Sequence, residues 1–461
     1  MARFAASSYP PARPIIPKPR REIGFFEFLR QSQENPLRNW TAEAFEEGVI
    51  YNRLLFTRFI LLNEPECIRH VLTDNAANYH KSVIGLRLLK RGLGNGLLTS
   101  EDDVWLRQRR IINPAFHHSR LKIMAEIMVA ETEETARLWD ATAAREEERD
   151  ILEDMMNLTL RIIVRTMFSS DIGPAAADVH THLSRIQELT GRPAISDLFG
   201  LPDWIPRPRA RRAEASQRVL DEIVGRLIRA RRDNPGEQGD LLDMLMSARD
   251  EKTGQGMSDR QIRDEVMTIF AAGHETTANA LTWTMYLVSQ HPEVEGRLLA
   301  EWDGVLGGRP PLYDDARNLA YTRQVIDEAL RLYPPAHTFG RHALGPDRVG
   351  SYDIPRGAEV MIAPWVLHRH KRLWEAPERF DPDRFRPEAV RARHPYAYLP
   401  FGGGPRTCIG KNFALVEAQL ALVSLLQRYR ARLAPGFPVE PVALITLRPR
   451  WGMVMRLTRR A

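Results

Sequence analysis

The stretch Phe401-Gly402-Gly403-Gly404-Pro405-Arg406-Thr407-Cys408-Ile409-Gly410 constrains the fold more than any other part of the chain. Three adjacent glycines and a proline demand a tight turn, and a lone cysteine follows it. The apolar run Phe413-Ala414-Leu415-Val416-Glu417-Ala418 then reads as a helix. Glycine lets a backbone pass close to a flat object and turn its N–H groups inward. A sulfur at a helix start is favoured as thiolate by the helix dipole and by those same donors. The other cysteine, Cys67, lies far upstream. Two such residues make no disulfide framework, so the chain reads as cytoplasmic and any special role belongs to one thiol acting alone.

One axial thiolate under a haem iron needs this arrangement, because N–H groups aimed at the sulfur tune its electron donation. Other readings of the loop stay open. A free cysteine often packs as a small hydrophobe. A phosphate loop is a rival because Gly410-Lys411 ends a glycine-rich stretch, but its upstream glycine is one position out. Asn412 also stands where Ser or Thr would bind magnesium. A zinc site lacks the further cysteines it requires.

A second signal is Ala271-Ala272-Gly273-His274-Glu275-Thr276-Thr277, inside the longest candidate helix. Glycine costs about 1 kcal/mol relative to alanine in a helix interior, and threonine about half of that. A threonine hydroxyl can bond back to the carbonyl one turn earlier and bend the helix. The combination opens a groove over a cofactor face and offers a hydroxyl and a carboxylate for proton delivery. It is no zinc-protease helix, since Ala278 stands where the second histidine belongs. A solvated polar patch on an amphipathic helix is the competing reading. The third signal, Glu328-Ala329-Leu330-Arg331, puts a carboxylate and a guanidinium on one helix face. The apolar neighbours Val325, Ile326, Leu330 and Leu332 point to a buried pair that needs further partners, such as a second arginine from a following loop.

With these three motifs in order, the chain resembles the cytochrome P450 superfamily, the haem-thiolate monooxygenases. Phe401 to Gly410 match the Phe-x-x-Gly-x-Arg-x-Cys-x-Gly signature at every fixed position. Ala272 to Thr277 match Ala-Gly-x-Glu-Thr-Thr, and Glu328 with Arg331 match Glu-x-x-Arg. The resemblance runs from about residue 35 to the C-terminus. It implies a mainly α fold with a minor β region, a triangular helical prism. That gives one domain over 22–461 behind a proline-rich lead-in over 1–21. It further implies haem b held by Cys408, with Phe401 packed on the ligand and Gly410 and Ala272 against the cofactor.

The family frame Trp-x-x-Pro-x-x-Phe-x-Pro-x-Arg-Phe reads here Trp374, Pro377, Phe380, Pro382, Arg384, Phe385. In that register Arg384 completes the network of Glu328 and Arg331, although Pro377-Glu378-Arg379-Phe380 imitates the motif. Arg379 is then a surface arginine. Around the rim, the resemblance assigns haem carboxylates to Trp105 and Arg109, Arg341 and Arg406, with Lys81 as a weaker candidate. Arg107 and Arg110 read as surface charges.

The resemblance also implies reductive activation of O₂ and insertion of one oxygen atom into a C–H bond of an apolar small molecule. Thr276 and Glu275 would deliver protons. Expected substrate walls are the loop after Lys81 (Val83, Leu86), the 190–206 stretch, and the long helix through Ile269, Ala272 and Thr277. Thr338-Phe339 and the Leu444-Ile445-Thr446 turn complete them. The motif style leans towards bacterial fatty-acid hydroxylases. Electrons are expected from a separate ferredoxin or flavodoxin with its reductase, since no reductase domain follows Cys408. A haem-thiolate peroxygenase or isomerase, and a haem sensor without turnover, remain as alternatives.

The remaining text carries fewer constraints. The net charge of +6 suits docking to an acidic partner. Basic residues interleave with acids, as in Arg145-Glu146-Glu147-Glu148-Arg149, which disfavours nucleic acid. No run approaches the roughly 20 apolar residues of a membrane span, so no anchor is expected. Periodicity predicts strands in 22–65 and helices around 102–112, capped by Asp102 or Asp103, and at 151–168 and 211–232. Further helices are expected from Ser258 to Gln290, at 314–332, and one beginning near Cys408. Residues 169–210 read as irregular, and 442–455 as a hairpin.

Overall fold

Helix boundaries follow the capping chemistry. In the computed structural model, which describes residues 24–54, 57–169, 175–191, 208–234, 239–249 and 254–460, the longer helices are α1 (Phe25–Glu34), α2 (Val83–Leu93), α3 (Asp102–Ile112), α4 (His118–Ala144), α5 (Ile151–Phe168), α6 (Ala175–Thr190), α7 (Pro208–Asp233), α8 (Asp259–Gln290), α9 (Pro292–Leu306), α10 (Ala320–Leu332) and α11 (Lys411–Leu426). Ser258 opens α8 through a reciprocal capping box with Gln261. His291-Pro292 ends it, because the ring of Pro292 disfavours helix at the residue before it. Asp150 caps α5 by accepting the N–H of Leu152 at 3.0 Å.

The β component is small. A mixed five-stranded sheet has the order β1 (Val49–Leu54), β2 (Thr57–Leu62), β8 (Glu359–Ile362), β5 (Phe339–Ala343), β3 (Tyr79–Lys81). Only β2 and β8 run parallel in it. β6 (Asp347–Val349) and β7 (Tyr352–Ile354) form a hairpin, as do β10 (Pro441–Ala443) and β11 (Leu447–Pro449). β12 (Val454–Arg459) lies between β4 (Glu148–Asp150) and β9 (Tyr429–Leu433).

The core sits where α8 passes between α5 and α11. An alanine side chain at Gly273 would meet Cδ1 of Ile163 at 2.5 Å, so this glycine lets α5 approach. The hydroxyl of Thr159 on α5 donates to the carbonyl of His274 at 2.8 Å. Further along α8, Trp283 is fully buried and stacks on Tyr333 with ring centroids 4.0 Å apart.

Five sequence expectations need correction. Residues 83–93 are helical, with Ser82 capping the N–H of Gly85. Residues 175–190 form α6, because Val179, Leu183 and Ile186 keep helical spacing among small and polar residues that dilute the pattern. Residues 22–65 begin with α1 before any strand. The helix expected from 314 begins at Ala320, because Asp315 is engaged by Arg309 and by the N–H of Leu312. Strand β12 leaves the 441–449 hairpin for β9 and β4.

Candidate active site

The cysteine loop is built by its glycines. Gly402 and Gly404 have φ of 69° and 68°, a region that L-residues with side chains rarely enter. A Cβ at Gly404 would lie 1.9 Å from the carbonyl oxygen of Leu72. The N–H of Cys408 donates to the Phe401 carbonyl at 2.9 Å, closing the turn. The sulfur accepts the N–H of Gly410. Burial pushes the thiol up, while Gly410, Arg109 and Lys411 oppose that shift. Cys408 is solvent-accessible and yet surrounded by protein, so it stands at the wall of a recess. The helix begins three residues later, at Lys411.

On α8, Ala272 is exposed and Thr276, one turn on, is partly exposed, within a helix otherwise largely buried. The Thr276 hydroxyl donates to the Ala272 carbonyl at 2.7 Å. Glu275 points to another side. It is buried, and one oxygen accepts the side-chain amide of Gln187 on α6. Burial raises its pKa, opposed by Thr446, Gln187, Arg448 and Asn279. One reading of this helix changes, and Gly273 is seen to admit the close approach of α5. Thr277 is buried against Glu417 on α11 and is no substrate wall.

A band of cations borders the loop. Lys81 and Arg341 are directly opposite in the β3–β5 register, a placement of like charges that is unfavourable on its own. Burial lowers Lys81 to about 7 and Arg341 to about 10. The ammonium of Lys81 donates to the carbonyls of Ser100 at 2.5 Å and Leu97 at 3.2 Å. Arg406 pairs with Glu101 and lies over the Trp105 ring at 4.6 Å, with its Nη1 buried and, among the described residues, without a hydrogen bond. Arg109 lies over the same ring at 5.8 Å and donates to the Thr407 carbonyl at 2.9 Å.

Glu101 was invisible in the sequence. It takes the N-cap position expected of Asp102 or Asp103, makes no side-chain cap, and instead accepts the N–H of Lys81 at 2.6 Å. Arg107 also departs from expectation: it is half-buried and acts on Glu265 of α8.

The Glu328–Arg331 pair is fully buried and bidentate, at 2.6 and 2.8 Å. Arg331 also donates to the carbonyls of His368, Pro377 and Arg379 at 2.8, 2.7 and 2.9 Å. Arg384 lies 3.5 Å from Glu328, and its Nη2 donates to the Ala376 carbonyl at 3.1 Å. The side chain of Arg379 is 66 % exposed, and only its carbonyl joins the network.

Among the expected pocket residues, Leu86, Thr338, Phe339 and Ile445 are partly exposed and Val83 is exposed. Ile269 is buried in helix packing, and Thr446 turns to Asn279 at 3.3 Å. Residues 192–206 of the expected wall lie outside the described residues. Gln187 and Asn279 carried no motif, because the Gln187–Glu275 and Asn279–Thr446 bonds join distant segments.

The family model for cytochrome P450 matches residues 16–449. The chain is 41 % identical over 379 residues to cyclooctatin synthase of Streptomyces melanosporofaciens, covering 82 % of this chain and 81 % of the relative. It is 35 % identical over 461 residues to pentalenene oxygenase of Streptomyces avermitilis, covering 99 % and 98 %. The cytochrome P450DA heme domain superposes with a TM-score of 0.84 at 29 % identity, over 97 % of this chain and 98 % of that one.

The chain belongs to the cytochrome P450 family and is a monooxygenase. Membership implies haem with a cysteine thiolate ligand. The residues present fit that group: an accessible sulfur at the wall of a recess, a glycine turn beside it, and a cation cluster holding an Arg406 nitrogen unpartnered among the described residues. Among the described residues, no helix is long and apolar enough to cross a membrane.

Proposed function

We propose that this monooxygenase hydroxylates a cyclic terpenoid-type hydrocarbon or its alcohol. Cys408 would hold the haem iron through its thiolate, and Arg109, Arg341, Arg406, Trp105 and Lys81 would hold the haem carboxylates. Bound haem supplies the reductive activation of O₂. The carrying observation is the Cys408 sulfur, accessible at the wall of a recess and met by the Gly410 N–H. The Lys81–Arg341 juxtaposition supports the rim assignment, because an anion between them removes their repulsion. Two relatives at 35 % and 33 % identity are named for oxygenating pentalenene and cyclooctat-9-en-7-ol, which favours cyclic terpenoids over the fatty acids suggested by motif style.

Thr276 and the adjacent Glu275 relay protons from two faces of α8. Electrons come from a separate ferredoxin or flavodoxin that meets the protein near Arg109 and Lys411. The domain over 22–461 works as one unit in the cytoplasm. The test is turnover with a surrogate ferredoxin and reductase against cyclic terpene hydrocarbons, cyclic terpene alcohols and fatty acids. Hydroxylated cyclic terpenes are expected. Turnover confined to fatty acids would overturn the substrate class, and product formed from peroxide but not from O₂ and electrons would overturn the reaction mode.

A further inference from the structure

Glu275 is held from α6. It is 2 % exposed, and its Oε2 accepts the amide of Gln187, itself 6 % exposed, near the C-terminus of α6. Thr446 and Asn279 flank the carboxylate and bond to each other at 3.3 Å. The end of α6 is fastened to the same place. Arg448 pairs with Glu188 at 3.1 Å, and a side chain at Gly191 would meet Cβ of Leu444 at 3.2 Å. An amide donor on a buried carboxylate favours its ionised form and fixes its orientation.

We infer that Gln187 is a positioning residue for proton delivery: its side-chain amide, donated to Oε2, fixes the orientation of the Glu275 carboxylate on which the relay to Thr276 depends. The inference rests on the proposed relay through Glu275 and Thr276. Hydroxylation consumes the substrate C–H bond, O₂, two electrons from the reductase and two protons, and yields the alcohol and water. When the relay fails, the same electrons and protons convert O₂ to hydrogen peroxide. Loss of position at Glu275 therefore reads out as peroxide made in place of product.

The test compares Gln187→Met, which keeps the shape and removes the donor, with Glu275→Gln, Thr276→Ala and the Gln187→Met/Glu275→Gln double variant. All are assayed as holoenzyme with a surrogate reductase and a substrate the wild type hydroxylates. Gln187→Met is expected to raise peroxide per electron consumed three- to tenfold, with substrate affinity within twofold and the ferrous carbon monoxide spectrum unchanged. In the Glu275→Gln background the same change should add nothing, because residues acting as one unit are non-additive. If Gln187→Met fails to load haem, Thr446→Val tests the same restraint from the other side and should uncouple likewise.

Wild-type coupling in Gln187→Met, or in Thr446→Val where that stands in, would overturn the inference while Glu275→Gln and Thr276→Ala still uncouple. A full additional effect in the Glu275→Gln background would do the same. Coupling unchanged in Glu275→Gln and Thr276→Ala would remove the relay, and the inference with it.

Discussion

Arg384 and Arg379 are two arginines in one short segment, and geometry separates them. Arg384 reaches within 3.5 Å of the buried Glu328, whereas the Arg379 side chain is 66 % exposed. Truncating a partner of a buried charge network costs about 3–5 kcal/mol, and a surface charge costs little. Arg384→Ala should therefore give protein with little or no stably bound haem, measured as haem per polypeptide, and Arg379→Ala should load normally. The reverse ranking would reject the register.

Glu265 gives a prediction in pH. Burial raises its carboxyl to about 7, against a backbone bond from Leu97 that opposes the shift. Between pH 4.5 and 7 the folded chain thus holds a proton that the unfolded chain has released. The stability from this group is present at low pH and is lost as pH rises toward 7, by about 2–3 kcal/mol. Denaturant midpoints at pH 5 and pH 7 should accordingly differ less in Glu265→Gln than in the wild type. An equal pH dependence in both proteins would show that this carboxyl does not carry the effect.

Among the elements, the cysteine loop and the 94–100 segment are fixed by different means. The 94–100 segment is tied to α8 by the carboxylates of Asp264 and Glu265, which accept the N–H groups of Asn95 at 2.8 Å and Leu97 at 2.9 Å. The cysteine loop relies on conformations open to glycine. Gly402 and Gly404 share the same φ, but only at Gly404 would a side chain strike backbone. Left-handed strain alone costs an L-residue roughly 1–2 kcal/mol. Gly402→Ala should lose about that much and keep its haem. Gly404→Ala must displace the chain at Leu72 and should lose haem and several degrees of melting temperature. Equal behaviour of the two variants would contradict the close approach at Leu72.

Helices whose caps are local were legible in advance, α8 from Ser258 and Gln261 and α5 from Asp150. Helices α2 and α6 were not, since Ser82 is an inconspicuous cap and the apolar stripe of α6 is sparse.

At the scale of the whole molecule, the family and the order of its motifs could be read from three short strings, because each encodes a backbone or charge requirement within ten residues. The surroundings of those strings could not. Glu101 meets Arg406 and Lys81, Gln187 meets Glu275, and Glu417 meets Thr277, all between segments that only the fold brings together. Every functional assignment nevertheless converges on one sulfur. The most direct measurement is the absorption spectrum of the dithionite-reduced, carbon monoxide-treated protein beside its Cys408→Ala variant. The wild type should give the red-shifted Soret band of thiolate-ligated ferrous haem, and the variant should lack it. A wild type without that band, or a variant that retains it, would contradict the assignment of Cys408.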